Sequence, residues 1–441
     1  MDKKILIGGE WVEAKSNERV DIMSPGDGSR VGSVPLCAKE DVDLAVDAAL
    51  EGRKALKKMS LLKRVELLHK AMEIAKTREK ETCEIMCRES GKPMAQSISE
   101  ASPGTGYSWS NFHVAMGNIK TFMRGIALPN VTEDNNNKRI LQTFEPINVV
   151  ANISTYSYPS EMPNCTIPYA LALGTAVIVK PSIGTPLSAI LIAEALHEAG
   201  FPAGAINIVT GTGAEVGNAL VTNPGVSGIN SFTSEAVCHT ISQNVGMKRH
   251  LAAVVSNNPF IVMDDANIDE AVLSAAQGAY GHNGQSPIST RRILVHKEVY
   301  TEYLNKFVEK TQSMVFGDPM DEKTDIGPLN NKVVLAQALE HLEDAKSKGG
   351  KFLTGGNAEG LYLEPTVIDN ATPDMLVTTE PTMGPVVPVM PFEDIEQAVE
   401  MANDSRFGFQ VGAFTSSLAN AYFLSENIEA GSVYINEATS C

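Results

Sequence analysis

A glycine-rich segment gives the clearest chemical signal in this sequence. Residues 211–217 have the sequence Gly-Thr-Gly-Ala-Glu-Val-Gly, follow a predicted strand and open a predicted helix. Glycines in that place let the backbone come close to a ligand, and the free N–H groups of the first helical turn favour an anion. The spacing is typical of a phosphate-binding turn, and it is equally typical of a tight strand–helix connection that binds nothing.

Cysteines are the other reactive side chains, and six of them are scattered at positions 37, 83, 87, 165, 238 and 441. Cys83 and Cys87 are four residues apart, the spacing of neighbours on one face of a helix. Because no histidine or further cysteine lies beside them, the pattern predicts no metal site and favours free, mostly buried thiols. Cys238 precedes His239, but adjacency in sequence does not imply hydrogen-bond geometry.

The apolar pattern predicts an α/β scaffold that positions these residues. Residues 5–36 are predicted to form a short β-meander, and residues 39–122 to be helical from apolar positions three and four apart. Short apolar runs then alternate with helices, which indicates a parallel, doubly wound sheet. The predicted strands are 147–153, 176–179, 205–209, 228–232 and 251–255, with helices such as 186–199 and 214–221 between them.

A second alternating set of strands and helices predicts a second α/β domain. It consists of helices 267–280, 298–315, 331–348 and 394–403 with strands 292–296, 386–392 and 411–415. Between the helical region and the first strand set, residues 131–137 are polar and are predicted to form a turn between two short strands.

Length and charge narrow the possible functions. With 441 residues the chain is too long for one simple core, so two or three domains are expected. The 36 basic and 53 acidic residues give a net charge of −17, which argues against nucleic acid or an anionic membrane as a partner. No run of about 18 apolar residues appears and the N-terminus lacks a signal-peptide pattern, so we expect a cytoplasmic location.

Seven landmarks, in order and at roughly family spacing, resemble the aldehyde dehydrogenase family over nearly the whole chain. They are Phe-Glu-Pro-Ile-Asn-Val-Val at 144–150, Val-Ile-Val-Lys-Pro-Ser at 177–182, Gly-Ala-Ile-Asn-Ile-Val-Thr-Gly at 204–211, Ser-Phe-Thr at 231–233, Asn-Pro-Phe-Ile-Val-Met-Asp-Asp-Ala at 258–266, Gly-Gln at 284–285 and Gly-Pro-Val at 384–386. The resemblance implies an aldehyde-dehydrogenase-like α/β fold with a Rossmann-type nucleotide-binding domain, a second α/β catalytic-type domain and a small β arm. The expected boundaries are 1–131 and 147–250 for the nucleotide-binding domain, 251–430 for the catalytic-type domain, and 132–146 with 431–441 for a remnant oligomerisation arm.

The resemblance also implies a site for NAD or NADP. In the family a lysine at the position of Lys180 holds the adenosine ribose, and an ammonium group with three donors suits ribose hydroxyls or a ribose phosphate. Ile183 replaces the family's glutamate that binds the ribose. The family also has a glycine near the cofactor's pyrophosphate, and the sequence Phe-Thr-Ser-Glu at 232–235 lacks it and adds the charge of Glu235. Nucleotide binding is therefore expected to be weakened or lost. The residues that carry over as cofactor-binding are Lys180, Ser182, Gly211, Gly213, Gly217, Phe232 and Thr233.

The family's catalytic positions are replaced in this sequence. In the family a cysteine adds to the aldehyde carbonyl. Here its position is occupied by Pro287, which has no nucleophilic side chain. Ser157 replaces the family's asparagine that stabilises the oxyanion, and Ala253 replaces the glutamate that activates water. Pro381 occupies the position of the family's glutamate that holds the nicotinamide ribose. Glu380, one position away, could substitute for it by a local shift. The resemblance thus implies a pseudoenzyme inactive in classical aldehyde oxidation, which binds a nucleotide or metabolite or acts as a scaffold.

Two alternatives stay open. Cys165 lies on the helix that lines the family's substrate tunnel, near Glu161 and Asn164 in sequence, so a relocated nucleophile there would give an active NAD(P)-dependent aldehyde oxidoreductase. A small residue that simply packs the helix is the other interpretation of Cys165. A purely structural subunit, its pocket filled by side chains such as Tyr156 and Tyr158, is the second alternative.

The expected partners follow from the same resemblance. The sequence ends before the family's terminal strand, so we expect the arm to pair differently than in the family. A small-molecule ligand and a homo-oligomer, or a hetero-oligomer with a paralogue, are the expected partners.

Overall fold

The protein is represented by a computed structural model that describes residues 1–128 and 140–439. Its strands, in chain order, are β1 (Ile5–Ile7), β2 (Glu10–Val12), β3 (Arg19–Met23), β4 (Arg30–Pro35), β5 (Gly125–Leu128), β6 (Ile140–Thr143), β7 (Val149–Ile153), β8 (Ala176–Lys180), β9 (Ile206–Ile208), β10 (Gly228–Thr233), β11 (Arg249–Val254), β12 (Asn258–Val262), β13 (Thr290–His296), β14 (Lys351–Thr354), β15 (Ala358–Glu359), β16 (Tyr362–Leu363), β17 (Thr366–Asp369), β18 (Val386–Phe392), β19 (Gln410–Phe414) and β20 (Ser432–Ile435).

Its helices, in chain order, are α1 (Lys39–Lys58), α2 (Leu61–Lys76), α3 (Glu79–Ser90), α4 (Met94–Ala101), α5 (Tyr107–Phe122), α6 (Glu161–Asn164), α7 (Ile167–Leu173), α8 (Leu187–Ala199), α9 (Asn218–Thr222), α10 (Glu235–Asn244), α11 (Ile268–Tyr280), α12 (Lys297–Ser313), α13 (Lys332–Ser347), α14 (Leu376–Thr379), α15 (Ile395–Asn403) and α16 (Leu418–Asn427).

The chain divides into two compact units. The first unit comprises Met1–Met23, Arg30–Glu89 and Ser97–Ala253, and the second comprises Ser24–Ser29, Ser90–Gln96 and Val254–Cys441. The assignment of nucleotide binding to residues 1–131 and 147–250, and of catalytic-type structure to 251–430, stays a prediction.

A seven-stranded sheet organises the first unit, in the order β11-β10-β7-β8-β9-β1-β2. Strands β10, β7, β8 and β9 are parallel, whereas β1 is antiparallel to both β9 and β2. Helices α1 and α7 pack on β8, whose five residues, Ala-Val-Ile-Val-Lys, are all buried. A strand buried on both faces carries a continuous apolar run rather than an alternating one, and this confirms the predicted parallel sheet.

The second unit contains another seven-stranded sheet, in the order β14-β17-β18-β13-β12-β19-β20. Only the edge strand β14 is antiparallel to its neighbour, and the other pairs are parallel. Helices α11 and α12 pack on β13. The predicted second α/β domain is therefore confirmed as an α/β sheet structure.

Three predictions about the smaller β elements are corrected or untested. The β-meander predicted for residues 5–36 is wrong, because β1 and β2 extend the first unit's sheet while β3 and β4 form a separate two-stranded sheet. Residues 431–441 were predicted as an arm, but β20 lies parallel to β19 in the second unit's sheet. Strand β6 pairs with β5, and the predicted polar turn at 131–137 lies outside the described residues.

Candidate functional site

The carboxyl end of β8 carries the most strongly perturbed cation of the first unit. Lys180 is 4% exposed, and burial lowers its pKa to about 8. Within the described part of the chain, its ammonium nitrogen makes one hydrogen bond, to the carbonyl of Pro181 at 3.3 Å. A buried ammonium with one long bond to a neutral acceptor retains unused donors, and an oxygen-rich ligand can satisfy them.

The glycine-rich segment lies against the same lysine. Thr212 begins the turn by accepting a hydrogen bond from the N–H of Glu215 at 3.2 Å, and a π-helical turn over Gly213–Gly217 leads into α9. A Cβ on Gly217 would lie 3.8 Å from Lys180 Cε. The structure thus brings the predicted phosphate turn and the predicted ribose lysine together.

The glycines of this turn serve different purposes. Gly211 has φ +151°, and a Cβ there would lie 2.5 Å from Val216 Cγ2, so the local packing requires glycine. A Cβ on Gly213 would meet nothing within 4 Å. The absence of a side chain at Gly213 is therefore not explained by packing within the described residues, whereas close approach of a ligand would explain it.

The remaining predicted cofactor residues lie at the same edge of the sheet. Ser182 follows β8 and is half-buried, and its hydroxyl accepts from the N–H of Gly184 at 3.3 Å. Phe232 and Thr233 end β10, which is separated from β8 by β7 alone. Carboxyl ends of parallel strands are where open α/β sheets bind ligands, so these positions agree with the predicted site.

The first unit also contains Ser157 and Ala253. Ser157 is 1% exposed, and within the described chain its hydroxyl oxygen has no hydrogen-bond partner. Ala253 lies in β11 and is half-buried, so this position has no group that can move a proton. The hydroxyl of Ser157 can donate to an oxyanion, but no base accompanies it at the position that the family resemblance assigns to glutamate.

The environment of Cys165 is acidic. Its thiol donates to Glu161 Oε1 at 3.1 Å, and the amide of Asn111 donates to both oxygens of the same carboxylate at 3.1 and 3.2 Å. The hydroxyl of Tyr169 in turn donates to Asn111 Oδ1 at 3.0 Å. A carboxylate beside a thiol opposes formation of the thiolate, whereas reactive cysteines lie near positive charge. Asn111 and Tyr169 were not predicted as part of this group, because neither is adjacent to Cys165 along the chain.

The other thiols have no apparent chemical role. Cys37, Cys83, Cys87 and Cys238 are buried and take part in no disulfide among the described residues. Burial raises the pKa of both Cys37 and Cys83 to about 11. The described residues contain no group of three or more His, Cys, Asp or Glu side chains able to hold a metal ion.

Pro287 lies in the second unit, in a loop whose conformation is set by its neighbours. Before it, His282, Asn283 and Gly284 all have positive φ, at 53°, 57° and 69°. Asn283 fixes this turn by donating to the carbonyls of Gly91 and Pro328 at 2.9 and 2.8 Å. The side chain of Pro287 takes no part in these bonds.

Arg291 is a loop-fixing residue that the sequence pattern does not single out. It is 1% exposed, and its guanidinium donates to the carbonyls of Gly284 at 2.5 Å, Ser286 at 2.7 Å and Thr382. These bonds join the Pro287 loop to the segment before β18. A buried arginine near a loop can be found in sequence, but its carbonyl partners require the three-dimensional structure.

Glu380, the suggested substitute for the ribose-binding glutamate, is already engaged. Arg406 donates to its two oxygens at 2.8 and 2.6 Å, and this pairing lowers the pKa of Glu380. A carboxylate held by both oxygens must break a bidentate ion pair before it can accept from ribose hydroxyls.

Comparisons with known proteins place this arrangement in context. The sequence model of the aldehyde dehydrogenase family matches residues 11–441. The mitochondrial succinate-semialdehyde dehydrogenase of Oryza sativa subsp. japonica is 32% identical over 438 residues, covering 98% of this chain and 81% of that protein. The NADP(+) succinate-semialdehyde dehydrogenase GabD of Escherichia coli (strain K12) is 30% identical, covering 98% and 89%. The crystal structure of succinate-semialdehyde dehydrogenase from Burkholderia pseudomallei matches with a TM-score of 0.96 and 30% identity, covering 100% of this chain and 90% of that one.

Separately, no described helix is both long and apolar enough to span a bilayer.

Proposed function

Because this chain belongs to the aldehyde dehydrogenase family, we propose that it binds a nicotinamide dinucleotide without performing the family's cysteine-dependent aldehyde oxidation. The fold belongs to a family of NAD(P)-dependent oxidoreductases, and GabD of Escherichia coli is named with NADP(+). The proposal separates two properties that occur together in an active dehydrogenase, namely cofactor binding and covalent attack on the substrate.

The contact between Lys180 and the glycine turn carries the binding half of the proposal. Lys180 is a buried cation with donors to spare, and Gly217 lies beside its side chain, where a Cβ would make an ordinary van der Waals contact of 3.8 Å with Lys180 Cε. The open space at Gly213 lets the backbone approach a pyrophosphate. Keeping an ammonium group buried is unfavourable in the unliganded protein, so a bound anion or ribose would offset that cost.

We propose that the nucleotide is NADP rather than NAD. Position 183 is isoleucine, which packs against the first unit's core, so it presents no carboxylate to a ribose hydroxyl. A carboxylate there would repel a 2′-phosphate, and the ammonium of Lys180 would attract one. The expected preference is thus for the phosphorylated cofactor, with affinity reduced by the lost ribose bond.

We propose no aldehyde oxidation because this chain lacks the side chains that the family uses for it at the corresponding positions. Pro287 cannot form the thiohemiacetal, Ala253 cannot activate water, and Ser157 offers a shorter donor than asparagine. These groups act as a unit, so restoring one of them alone is not expected to restore turnover.

The alternative function is aldehyde oxidation with Cys165 as the nucleophile. The environment of Cys165 favours nucleotide binding without oxidation instead. The thiol of Cys165 donates a hydrogen bond to Glu161, whose negative charge opposes ionisation of the thiol. The amide of Asn111 and the hydroxyl of Tyr169, which take part in the same group of hydrogen bonds, are neutral. An activated cysteine would need a positive neighbour.

Titration calorimetry with NADP⁺ and NAD⁺ on the full chain tests the binding half. We expect NADP⁺ to bind and NAD⁺ to bind more weakly. Absence of heat with both nucleotides at millimolar concentration would refute the proposal. The chemical half is tested by following reduced nicotinamide with a panel of semialdehydes, where turnover that survives removal of trace contaminants would refute it.

The remaining expectations stand as proposals beside this one. A cytoplasmic location and a small-molecule ligand are compatible with the net charge of −17. Self-association, or association with an active paralogue, is supported by the hairpin β5–β6, on which Ile126, Leu128, Ile140 and Leu141 are exposed. Light scattering of the purified protein, alone and with a paralogue, tests this assembly.

A further inference from the structure

A small cavity in the second unit, apart from the proposed nucleotide site, has the chemistry of an ion site. It lies where β12 and β19 begin, and it is closed by residues 402–403 at the end of α15 and by segments 407–409 and 428–430. Its volume is about 10 Å³, which is room for one occupant of the size of a water molecule.

Two buried amide oxygens without partners belong to residues that line this cavity. Asn257 is 1% exposed and Gln410 is 8% exposed, and among the described residues neither side-chain oxygen has a hydrogen-bond partner. The nitrogen of Asn257 donates to the carbonyl of Thr378 at 2.6 Å, which fixes the end of the amide that remains unused. The nitrogen of Gln410 lies 3.3 Å from the hydroxyl of Tyr434. Leaving two buried acceptors unsatisfied is unfavourable, so this cavity favours an occupant that approaches oxygen.

The other lining residues bear on the charge that the cavity favours. Ser256 and Glu429 also line the cavity, Glu429 being an exposed residue whose N–H donates to Asn403 Oδ1 at 2.9 Å, and the part of the chain that the structure describes places no lysine, arginine or histidine in the lining. Arg406, close by in sequence, donates to both oxygens of Glu380, so its charge is already balanced. Oxygen donors select hard cations, and neutral amide oxygens provide too little charge for the carboxylate-rich coordination that divalent calcium prefers.

We propose that this cavity holds a monovalent cation, K⁺ or Na⁺, bound by the side-chain oxygens of Asn257 and Gln410. A cation satisfies both buried acceptors at once. Because Asn257 precedes β12 and Gln410 begins β19, the ion joins the starts of two adjacent parallel strands.

The proposed ion would also steady the loop that contains Pro287. Asn258, the neighbour of Asn257, donates to the carbonyls of Pro287 and Ser289 at 3.2 and 3.1 Å. The side-chain oxygen of Asn258 accepts from the N–H of Gln410 at 3.2 Å. Movement of the Gln410 segment is therefore transmitted to the Pro287 loop through one asparagine.

Thallous ion and thermal unfolding test the proposal on the full chain. Crystals soaked in Tl⁺ should show an anomalous peak between Asn257 and Gln410. In solution, the melting temperature should rise with KCl or NaCl beyond its value in choline chloride at the same ionic strength. A water molecule in the cavity, no thallium peak and equal melting temperatures in all three salts would overturn the proposal.

Variants at Gln410 identify the site of any salt effect. Gln410→Met keeps the length of the side chain but removes the oxygen, so the K⁺-dependent rise should disappear. Gln410→Glu should shift the midpoint of the K⁺ response to roughly tenfold lower concentration, since a charged ligand binds more strongly. Gln277→Met, at an exposed position of α11, is the matched control and should keep the wild-type response. A wild-type response in Gln410→Met would place the ion elsewhere and overturn the assignment.

Discussion

Replacing Lys180 with methionine should move two measured quantities in opposite directions. Nucleotide affinity should fall, because the variant loses charge-assisted hydrogen bonds worth about 1.5–3 kcal/mol, which corresponds to a roughly 10- to 150-fold weaker Kd. The stability of the unliganded protein should rise, because a buried ammonium is replaced by an apolar side chain of similar length. A lysine that only supported the fold would lower stability when removed, so the two roles predict opposite signs.

The pKa of Lys180 sets the size of the stability gain. Burial lowers this pKa from 10.5 to about 8. At about 1.36 kcal/mol per pH unit, this fall corresponds to on the order of 3 kcal/mol that the native state loses at neutral pH by keeping the group charged. The gain in Lys180→Met should approach this value and should be reduced by the lost bond to the carbonyl of Pro181.

The pH dependence follows from the same shift. Between pH 8 and 10.5 the unfolded state holds the proton of Lys180 while the native state releases it, so wild-type stability should rise with pH across this window. Lys180→Met should lack this rise. Nucleotide binding by the wild type should weaken above pH 8, because the ammonium that attracts the ribose phosphate becomes neutral.

Calorimetric titration with NADP⁺ and urea unfolding of the unliganded protein measure the two effects. Lys248→Met is a suitable control, since Lys248 also donates to a backbone carbonyl, that of Val221 at 2.6 Å, but lies outside the predicted site. The control should keep wild-type affinity. Unchanged affinity in Lys180→Met, or a loss of stability at neutral pH, would refute the proposed role.

Further variants test the glycine turn, the acidic thiol and the missing nucleophile. Gly213→Ala should leave the melting temperature unchanged but weaken NADP⁺ binding in calorimetry, because its Cβ meets no protein atom within 4 Å. Gly211→Ala should lower the melting temperature itself, since its Cβ would lie 2.5 Å from a valine methyl group, and an equal response of the two variants would contradict this division. Glu161→Gln should speed alkylation of Cys165 by iodoacetamide, measured by mass spectrometry, because the opposing charge is removed. Pro287→Cys should fold normally yet give no aldehyde-dependent reduction of NADP⁺, and clear turnover would show that the other lost groups are dispensable.

Much of the fold was predictable because its strands are buried on both faces. Strand β8 has an uninterrupted apolar run, and its predicted end lies within one residue of the observed one. Strand β12 escaped prediction although three of its residues are Phe, Ile and Val, because Pro259 occupies its second position. Proline lacks the N–H that a central strand uses, and the structure accommodates it with a register shift between Asn258 and Pro259.

Single residues of the candidate site could be predicted from the family's motifs, whereas contacts between residues distant in sequence could not. The role of Lys180 was predicted from the family resemblance, as the lysine at the end of an apolar strand, whereas its proximity to Gly217 depends on how the turn packs. The partners of Cys165 were not predictable, since Asn111 lies 50 residues from Glu161 along the chain. The carbonyls that hold Arg291 leave no pattern in the sequence, because every residue has one.

We propose that Pro287 stands where the family carries its nucleophile, and the same backbone bonds would let that position change while the loop is kept. Asn283 and Arg291 fix the loop through carbonyl groups, and Asn258 binds the carbonyl of Pro287, which any residue at that position would supply. The side chain at position 287 takes no part in these bonds, so they do not depend on which residue stands there. Lys180 differs, because a buried ammonium destabilises the protein unless a ligand uses it. A buried lysine that is unfavourable without a ligand, beside the proposed loss of the reactive side chain, favours the proposal that the protein binds a nucleotide without turnover.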